Sequence, residues 1–523
     1  MKKRIAIIFI IALGFCTQIF AQLSSEKINE MVNTARDLKS LIQSDPHRPS
    51  YHITMPEGFA HPYDPNGAIY WIGKYHLGYI YQKYRNGKYE HVWGHLVSTD
   101  LLHWTQYPDM ITISDGDIEE GVFSGGTFMS REGKPFIAYH GEGSQTNLLA
   151  YSDDEDLRVW KKYEGNPVLR TPVAPDPMAG KYTAWDPECW FDKKADAYYM
   201  ISGGRPATFF KSKDLKKWDF LGDLIAKEES KQYDFEDISC PDFFQIGNKQ
   251  MILFIGHYLG SQYYIGQFGN DKFSVEQYGR MNWPGGTFFA PEQLVDDKGR
   301  NIIWGWVLER KPEHLANHGW SGVMSLPRVL SLSKEGTLEI KPAEELKSLR
   351  LEEASAKHIT LKANEDKVLP SRGKSLEIAL ELQGSNSSPY GVKVFCSPDG
   401  REETVIKYDP QSKELVIDFI RSSVKAPVEM IDYCLDYMGP EVPNKGTVTE
   451  QRAPFELKVG EKLRLNIFID KSVIEVFAND RQCMTQVVYP ELVESSEVRV
   501  FSGNDALTVE NLKIWKMGET NIY

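Results

Sequence analysis

Three aspartates stand beside prolines at turns, and their setting suggests sugar chemistry. Asp64 lies in His61-Pro-Tyr-Asp-Pro-Asn-Gly67, where Pro65 and Gly67 mark a tight turn and Asn66 tolerates a left-handed backbone. Tyr51, Phe59, Tyr63, Tyr70, Trp71 and Tyr75 surround it in sequence. Aromatic faces stack on sugar rings, and a carboxylate held at a bend can attack or stabilise an oxocarbenium-like centre. Asp186 follows in Ala184-Trp-Asp-Pro-Glu-Cys-Trp190, and Asp242 in Ser239-Cys-Pro-Asp-Phe-Phe244. Any one of these is equally a polar turn between strands. Their recurrence makes the difference.

The elements that must position them are strands. From residue 51 to about 335, short runs of Tyr, Phe, Trp, Ile and Val alternate with turns such as Asn86-Gly87 and Gly247-Asn248, an all-β texture. Ser98-Thr-Asp100-Leu101-Leu-His-Trp104 recurs as Ser212-Lys-Asp214-Leu215-Lys-Lys-Trp218, with Ser152 to Trp160 as a longer variant. A spacing of roughly 55–60 residues fits one four-stranded propeller blade per copy, and residues 51–335 have room for about five. A propeller presents the first strand of each blade to a central axis, so Asp64, Asp186 and Asp242 are expected to form a funnel of carboxylates. Residues 25–44 carry a helical apolar period, within an N-terminal segment 22–50 expected to be a packing appendage. Residues 336–350 are expected to be a linker. Residues 351–523, with cleaner alternation in Leu463–Asp470 and Val473–Ala478, are expected to form a β-sandwich.

The totals agree with a folded, multi-domain protein that handles neutral ligands. The chain has 523 residues, 41% hydrophobic and 12% aromatic, with a net charge of −13. That charge argues against nucleic acid or an anionic membrane surface as partner. Lys2, Lys3 and Arg4 before an apolar stretch at 5–15 predict a signal peptide over residues 1–21, cut near Ala21-Gln22, and a periplasmic or extracellular destination. A lipoprotein box at Cys16 is the alternative. No later stretch is long and apolar enough to span a membrane. Cys189, Cys240, Cys396, Cys434 and Cys483 show neither zinc spacing nor a disulfide framework, and are expected to be small buried hydrophobes. Asp115-Gly-Asp-Ile-Glu119 lacks an EF-hand pattern and is expected to be a solvated turn rather than a calcium loop. No metal and no cofactor is implied.

Read together, these motifs resemble glycoside hydrolase family 32, the invertase, levanase and inulinase family. The resemblance is carried in order by Arg48–His52, Asp64–Gly67, Tyr75-His-Leu with Gln82, Trp93-Gly-His95, Phe123-Ser-Gly125, Asp186-Pro187, Cys240-Pro-Asp242, Ala290-Pro291, Trp304-Gly-Trp306 and Trp320–Arg328. Phe468–Ser472 and Glu475–Phe477 extend it through the C-terminal half. It implies a five-bladed propeller with an appended β-sandwich, and a retaining hydrolase of β-fructosides such as fructan, levan, inulin or sucrose. Asp64 would be the nucleophile and Asp186 the transition-state stabiliser; Gln82, Phe123 and Ser124 would line the fructose pocket.

Three positions depart from the family pattern. Tyr63 replaces the Asn before the nucleophile, Trp185 replaces the Arg before Asp186, and Ser239 replaces the Glu that serves as acid/base. Trp185 and Ser239 are therefore expected in the substrate pocket. A serine hydroxyl is too weak an acid to stand in for a carboxyl group. The nearby acids are Glu236, Asp237, Glu188 and Glu292. Alternation along a strand favours Asp237, on the face of Ser239, or Glu188, on the face of Asp186. The competing expectation is a carbohydrate-binding protein of the same fold that has lost hydrolysis.

Overall fold

The repeat Ser-x-Asp-Leu-x-x-Trp owes its form to one turn. In the computed structural model, which describes residues 25–55, 63–230, 236–308, 319–425, 430–431 and 447–521, each copy joins the third and fourth strands of a blade. Asp100 Oδ1 accepts the amides of Leu102 and His103 at 3.0 and 2.8 Å, and Asp214 Oδ1 accepts those of Lys216 and Lys217 at 2.9 and 3.0 Å. In two of the three copies the Trp indole closes the turn by donating to the leucine carbonyl, Trp104 to Leu101 at 3.1 Å and Trp218 to Leu215 at 3.2 Å. The leucines are driven into the left-handed region, with φ of 69°, 54° and 63° at Leu101, Leu157 and Leu215. Their side chains are buried, which compensates the backbone cost.

Five antiparallel sheets follow one another along the chain. The blades run over Tyr63–Ile111, Gly121–Arg170, Pro187–Asp223, Ser239–Arg280 and Phe288–Pro342. Within each, strand order follows chain order; the second blade adds a short fifth strand. The first strands, Tyr63–Trp71, Gly121–Met129, Pro187–Asp192, Ser239–Ile246 and Phe288–Val295, pack against one another around the axis. The expected linker is corrected here. Leu338–Pro342 pairs with Arg328–Leu332 as the outer strand of blade five, so the propeller reaches residue 342. A 3-10 turn, Glu344–Leu349, then leads into the next domain at Arg350.

The C-terminal half is a sandwich of two six-stranded sheets. Between them lies a core of Leu, Ile and Val side chains such as Ile378, Val392, Ile406, Ile467 and Val500. The helix Ser25–Ser44 touches this core through Leu38 and Ile42, beside Trp320. Propeller and sandwich are fused by a dry polar knot in which His52, Arg328, Asp470 and Glu475 are all fully buried. Asp470 accepts the amides of Ser50, Tyr51 and His52 at 2.8, 2.8 and 2.9 Å. Glu475 accepts Leu326 N and Arg328 Nη2 at 2.7 and 2.8 Å. The expected signal peptide over residues 1–21, with Cys16, and Phe59, His61-Pro62 and Cys434 lie outside the described residues. No helix among the described residues is long and apolar enough to cross a membrane.

Candidate active site

Four of the five first strands slip register near their beginnings: between Tyr63 and Pro65, Val122 and Gly125, Ser239 and Asp242, and Phe289 and Glu292. A slip of this kind re-aims the side chains that follow it. At Cys240 it brings φ to 46°, a left-handed value costing about 1–2 kcal/mol for a residue with a Cβ. The consequence is that Cys240 Sγ lies 3.7 Å from Asp64 Oδ2 and 3.7 Å from Asp186 Oδ2. The two carboxylate oxygens are therefore no farther apart than twice that distance. Cys240 N–H donates to Asp186 Oδ2 at 3.0 Å, and Ser124 Oγ donates to Asp64 Oδ2 at 3.3 Å.

The turn carrying Asp64 is locked from both sides. Asn66 Nδ2 donates to the Asp64 carbonyl at 2.8 Å, and its Oδ1 accepts Gly125 N from blade two at 2.9 Å. Gly67 is required: its φ is 56°, and a Cβ there would stand 2.7 Å from the Trp93 ring. Burial, and then the charge of Asp186, push the Asp64 carboxyl up to about 7, against the pull of His257 and Ser124. Burial also raises Asp186, opposed by His140, by the Cys240 amide and by His257.

A belt of rings surrounds the pair. Trp306 contacts Tyr63 (5.7 Å between centroids), Tyr63 contacts His91 (5.9 Å), and His91 contacts Phe123 (4.9 Å). Phe123 then stacks on His140 (6.1 Å, 1° between planes), and His140 contacts Trp185 (5.0 Å). Gln82 Nε2 lies 3.3 Å from His91 Nε2, while His91 Nδ1 is 2.8 Å from Glu142. The structure thus places Asp64, Asp186, Gln82, Phe123, Ser124 and Trp185 around one opening.

Other expected site residues are elsewhere or differently engaged. Asp242 does not join the funnel, and Glu188 does not share the setting of Asp186. With Glu292 they line a separate cavity of about 360 Å³ floored by the stacked pair Trp190 and Phe243. Register slips in the strands of Asp242 and Glu292 change which face those residues present, whereas Asp186 sits on a bend just ahead of the unslipped strand Pro187–Asp192 that carries Glu188. Glu292 Oε1 is spent on Ala68 N at 2.7 Å. Glu188 Oε2 and Asp242 Oδ2 have no hydrogen-bond partner among the described residues. Asp237 is near Ser239 as alternation requires, but as a fixed anion. It takes Ser239 Oγ at 2.7 Å, His257 N at 2.9 Å and His257 Nδ1 at 2.6 Å. Burial opposes its charge, yet His257 and Ser239 hold its carboxyl below the usual range. That is the reverse of what a proton donor needs, so neither favoured acid stands as expected.

Ser239 Oγ also accepts the Trp185 indole at 2.8 Å. Glu236 faces a different cavity, with Arg205, Asp223 and Lys227, and accepts Tyr258 N and Leu259 N at 3.3 Å each. In the loop of Asp115–Glu119, Asp117 and Glu119 share Lys162 at 2.5 Å each. Residue-type reasoning missed His257, His91 and His140, which no local motif marks. It also treated Cys240 as a buried hydrophobe, whereas its thiol faces both carboxylates. The Cys-Pro-Asp triplet was the available signal.

The family model for the Glycosyl hydrolases family 32 N-terminal domain matches residues 52–342, and that for the family 32 C-terminal domain matches residues 345–516. The chain therefore belongs to family 32 of the glycosyl hydrolases, a glycosidase of the β-fructofuranosidase type by descent. It is 28% identical to a levanase of Bacillus subtilis, over 92% of this chain and 72% of the levanase. It is 25% identical to a fructan 6-exohydrolase of Beta vulgaris, over 93% and 89%. The fold matches the crystal structure of fructan 1-exohydrolase IIa from Cichorium intybus with a TM-score of 0.75 at 21% identity, covering 91% of this chain and 98% of that one.

Proposed function

We propose that the protein is exported and hydrolyses β-fructosides, the bonds of fructans or sucrose-like sugars, in two steps with retention of configuration. The observation that carries this reading is the pairing of Asp64 and Asp186 across Cys240 inside an aromatic rim. In the first step Asp64 attacks the anomeric carbon of the fructosyl unit and displaces the alcohol; in the second, water releases fructose from Asp64. Asp186 holds ring hydroxyls as positive charge develops. The names of the relatives support the substrate class: a levanase, a fructan exohydrolase, and a fructan 1-exohydrolase complexed with 1-kestose. The basic start and apolar stretch of residues 1–21 support export.

Ser239 favours a second reading, a fructan-binding protein without hydrolysis. Incubation with sucrose, 1-kestose, levan, inulin and arabinofuranosides separates the two. Release of fructose by the parent, and its loss by several orders of magnitude in Asp64→Asn with an unchanged melting temperature, is the expected result. Binding without release by the parent would establish the second reading.

A further inference from the structure

We propose that His257, held by Asp237, supplies and recovers the proton that a carboxyl group at position 239 handles elsewhere in the family. This rests on the hydrolase reading above. Among the described residues the geometry leaves little else. The place of that carboxyl is taken by a relay in which the Trp185 indole donates to Ser239 Oγ, Ser239 Oγ donates to Asp237, and Asp237 receives His257 Nδ1. Trp185, Asp237 and His257 line one cavity of about 470 Å³, with Gln145, Arg205 and Tyr258 on its other walls. His257 follows the strand Lys249–Gly256, whose Ile255 pairs with Ser239, so the ring is carried to the same end of blade four as Cys240 and its two carboxylates. The four carboxylates near in sequence are otherwise committed. Asp237 is the fixed anion, Glu236 faces another cavity, and Glu188 and Glu292 belong to the axial cavity.

The dyad has the right chemistry. The Asp237 carboxylate fixes Nδ1 as the protonated nitrogen, so exchange with substrate runs through Nε2. Burial works against a charged ring, but Asp237, and then the charges of Asp186 and Asp64, outweigh it and raise the His257 pKa. In the first step the Asp64 oxygen bonds to the anomeric carbon as the bond from that carbon to the glycosidic oxygen breaks. The His257 Nε2 proton moves to that oxygen, and the alcohol leaves neutral. In the second step neutral His257 takes a proton from water, the water oxygen bonds to the same carbon, and the bond to Asp64 breaks. Fructose, the Asp64 carboxylate and the imidazolium are restored. The working state is anionic Asp64 beside cationic His257, and each charge sustains the other.

The test compares the full chain with its His257→Gln, Asp237→Asn and Glu236→Gln variants on sucrose or 1-kestose and on 4-nitrophenyl β-fructofuranoside, whose leaving group needs no proton. Thermal melts establish that each variant is folded. His257→Gln is expected to lose about 10²–10⁴-fold in kcat/KM on the natural sugars and less than about tenfold on the aryl fructoside. Its acidic limb moves to higher pH, because Asp64 loses a neighbouring positive charge, and on the aryl fructoside azide restores turnover by attacking the fructosyl ester to form fructosyl azide. Asp237→Asn keeps a hydrogen-bond partner but moves the alkaline limb to lower pH. An active parent whose His257→Gln variant keeps the parental ratio between the two substrates overturns the assignment. So does the leaving-group asymmetry appearing in Glu236→Gln instead. If His257→Gln does not fold, the limb shift in Asp237→Asn decides: an unmoved alkaline limb overturns the assignment. A parent inactive on both substrates overturns the hydrolase reading and this assignment together.

Discussion

His52 of the propeller and Asp470 of the sandwich, 418 residues apart in the chain, meet through Nδ1 and Oδ2 at 3.0 Å with no solvent exposure on either side chain. Nε2 of the same ring lies 3.3 Å from Glu475 Oε1. Burial alone would discharge the ring, but the two carboxylates outweigh it and lift His52 to about 9. Burial likewise opposes the charge on Asp470, and His52 with the amides of Ser50 and Tyr51 brings it down to about 2.

Asp470→Asn should therefore cost about 3–5 kcal/mol, because it leaves a buried cation short of its partner. The pH profile carries the sign. His52 contributes stability in full below its ordinary value of 6.5 and loses it as pH rises through 9. Asp470 contributes above 3.8 and loses it as pH falls through 2. Urea unfolding from pH 3 to 9 should show the parent weakening at both ends and the variant flatter at the alkaline end. Equal slopes for the two proteins above pH 7 would contradict this account.

Glu188→Gln should make the protein more stable in alkali. Burial pushes this carboxyl from 4.5 up to about 8, so the folded state holds its proton more tightly than the unfolded chain. Stability is greatest below pH 4.5 and declines as pH rises towards 8. A neutral amide removes that decline, a gain of about 4 kcal/mol at pH 8 and none at pH 4. Melting temperatures of both proteins at the two pH values check it.

Asp100→Ala and Asp214→Ala should each cost about 1–2 kcal/mol through the amides they leave unbonded in turns of the same design. Additivity in the double variant is expected, since the turns lie in blades one and three and share no partner. Denaturant midpoints measure both effects.

Trp185→Ala should raise KM for fructan oligosaccharides about threefold to tenfold, from the loss of an aromatic face 36% exposed at the rim. It also removes the indole donor on Ser239, so kcat should fall as well, by less than in His257→Gln. Steady-state kinetics on 1-kestose separates the two parameters.

Much of the architecture was readable because it is written in local chemistry. The turn with a capping Asp, a left-handed Leu and a closing Trp is contained within seven residues, so its copies reveal the blade period directly. The same period leaves room for about five blades and strand alternation marks the sandwich; the resemblance agrees with both. Alternation misjudged Glu188 because Asp186 sits on a bend ahead of the strand from which parity is counted, and the placing of Asp242 by blade position and the proton expected of Asp237 failed as well. A register slip near Cys240 reverses the parity on which such counting depends, and a slip is a property of two paired strands rather than of one. His257 was invisible for the same reason: it reaches the site by pairing across a sheet, 17 positions past Cys240 in the numbering, with no motif of its own. Leu338–Pro342 was read as a linker because its partner, Arg328–Leu332, gives no sign from within those five residues.

Cys240 makes the site its own electrometer. The thiol resists ionisation because of burial first and then the negative charge of Asp64 and Asp186. Its rate of alkylation, which follows the thiolate fraction, consequently reads the local negative charge. A fructosyl ester on Asp64 deletes one of the two opposing charges. Where a fast leaving group combined with a damaged proton relay lets that ester accumulate, and the reagent is small enough to enter beside the sugar, the labelling rate of a single sulfur records the chemical state of the neighbouring carboxylate.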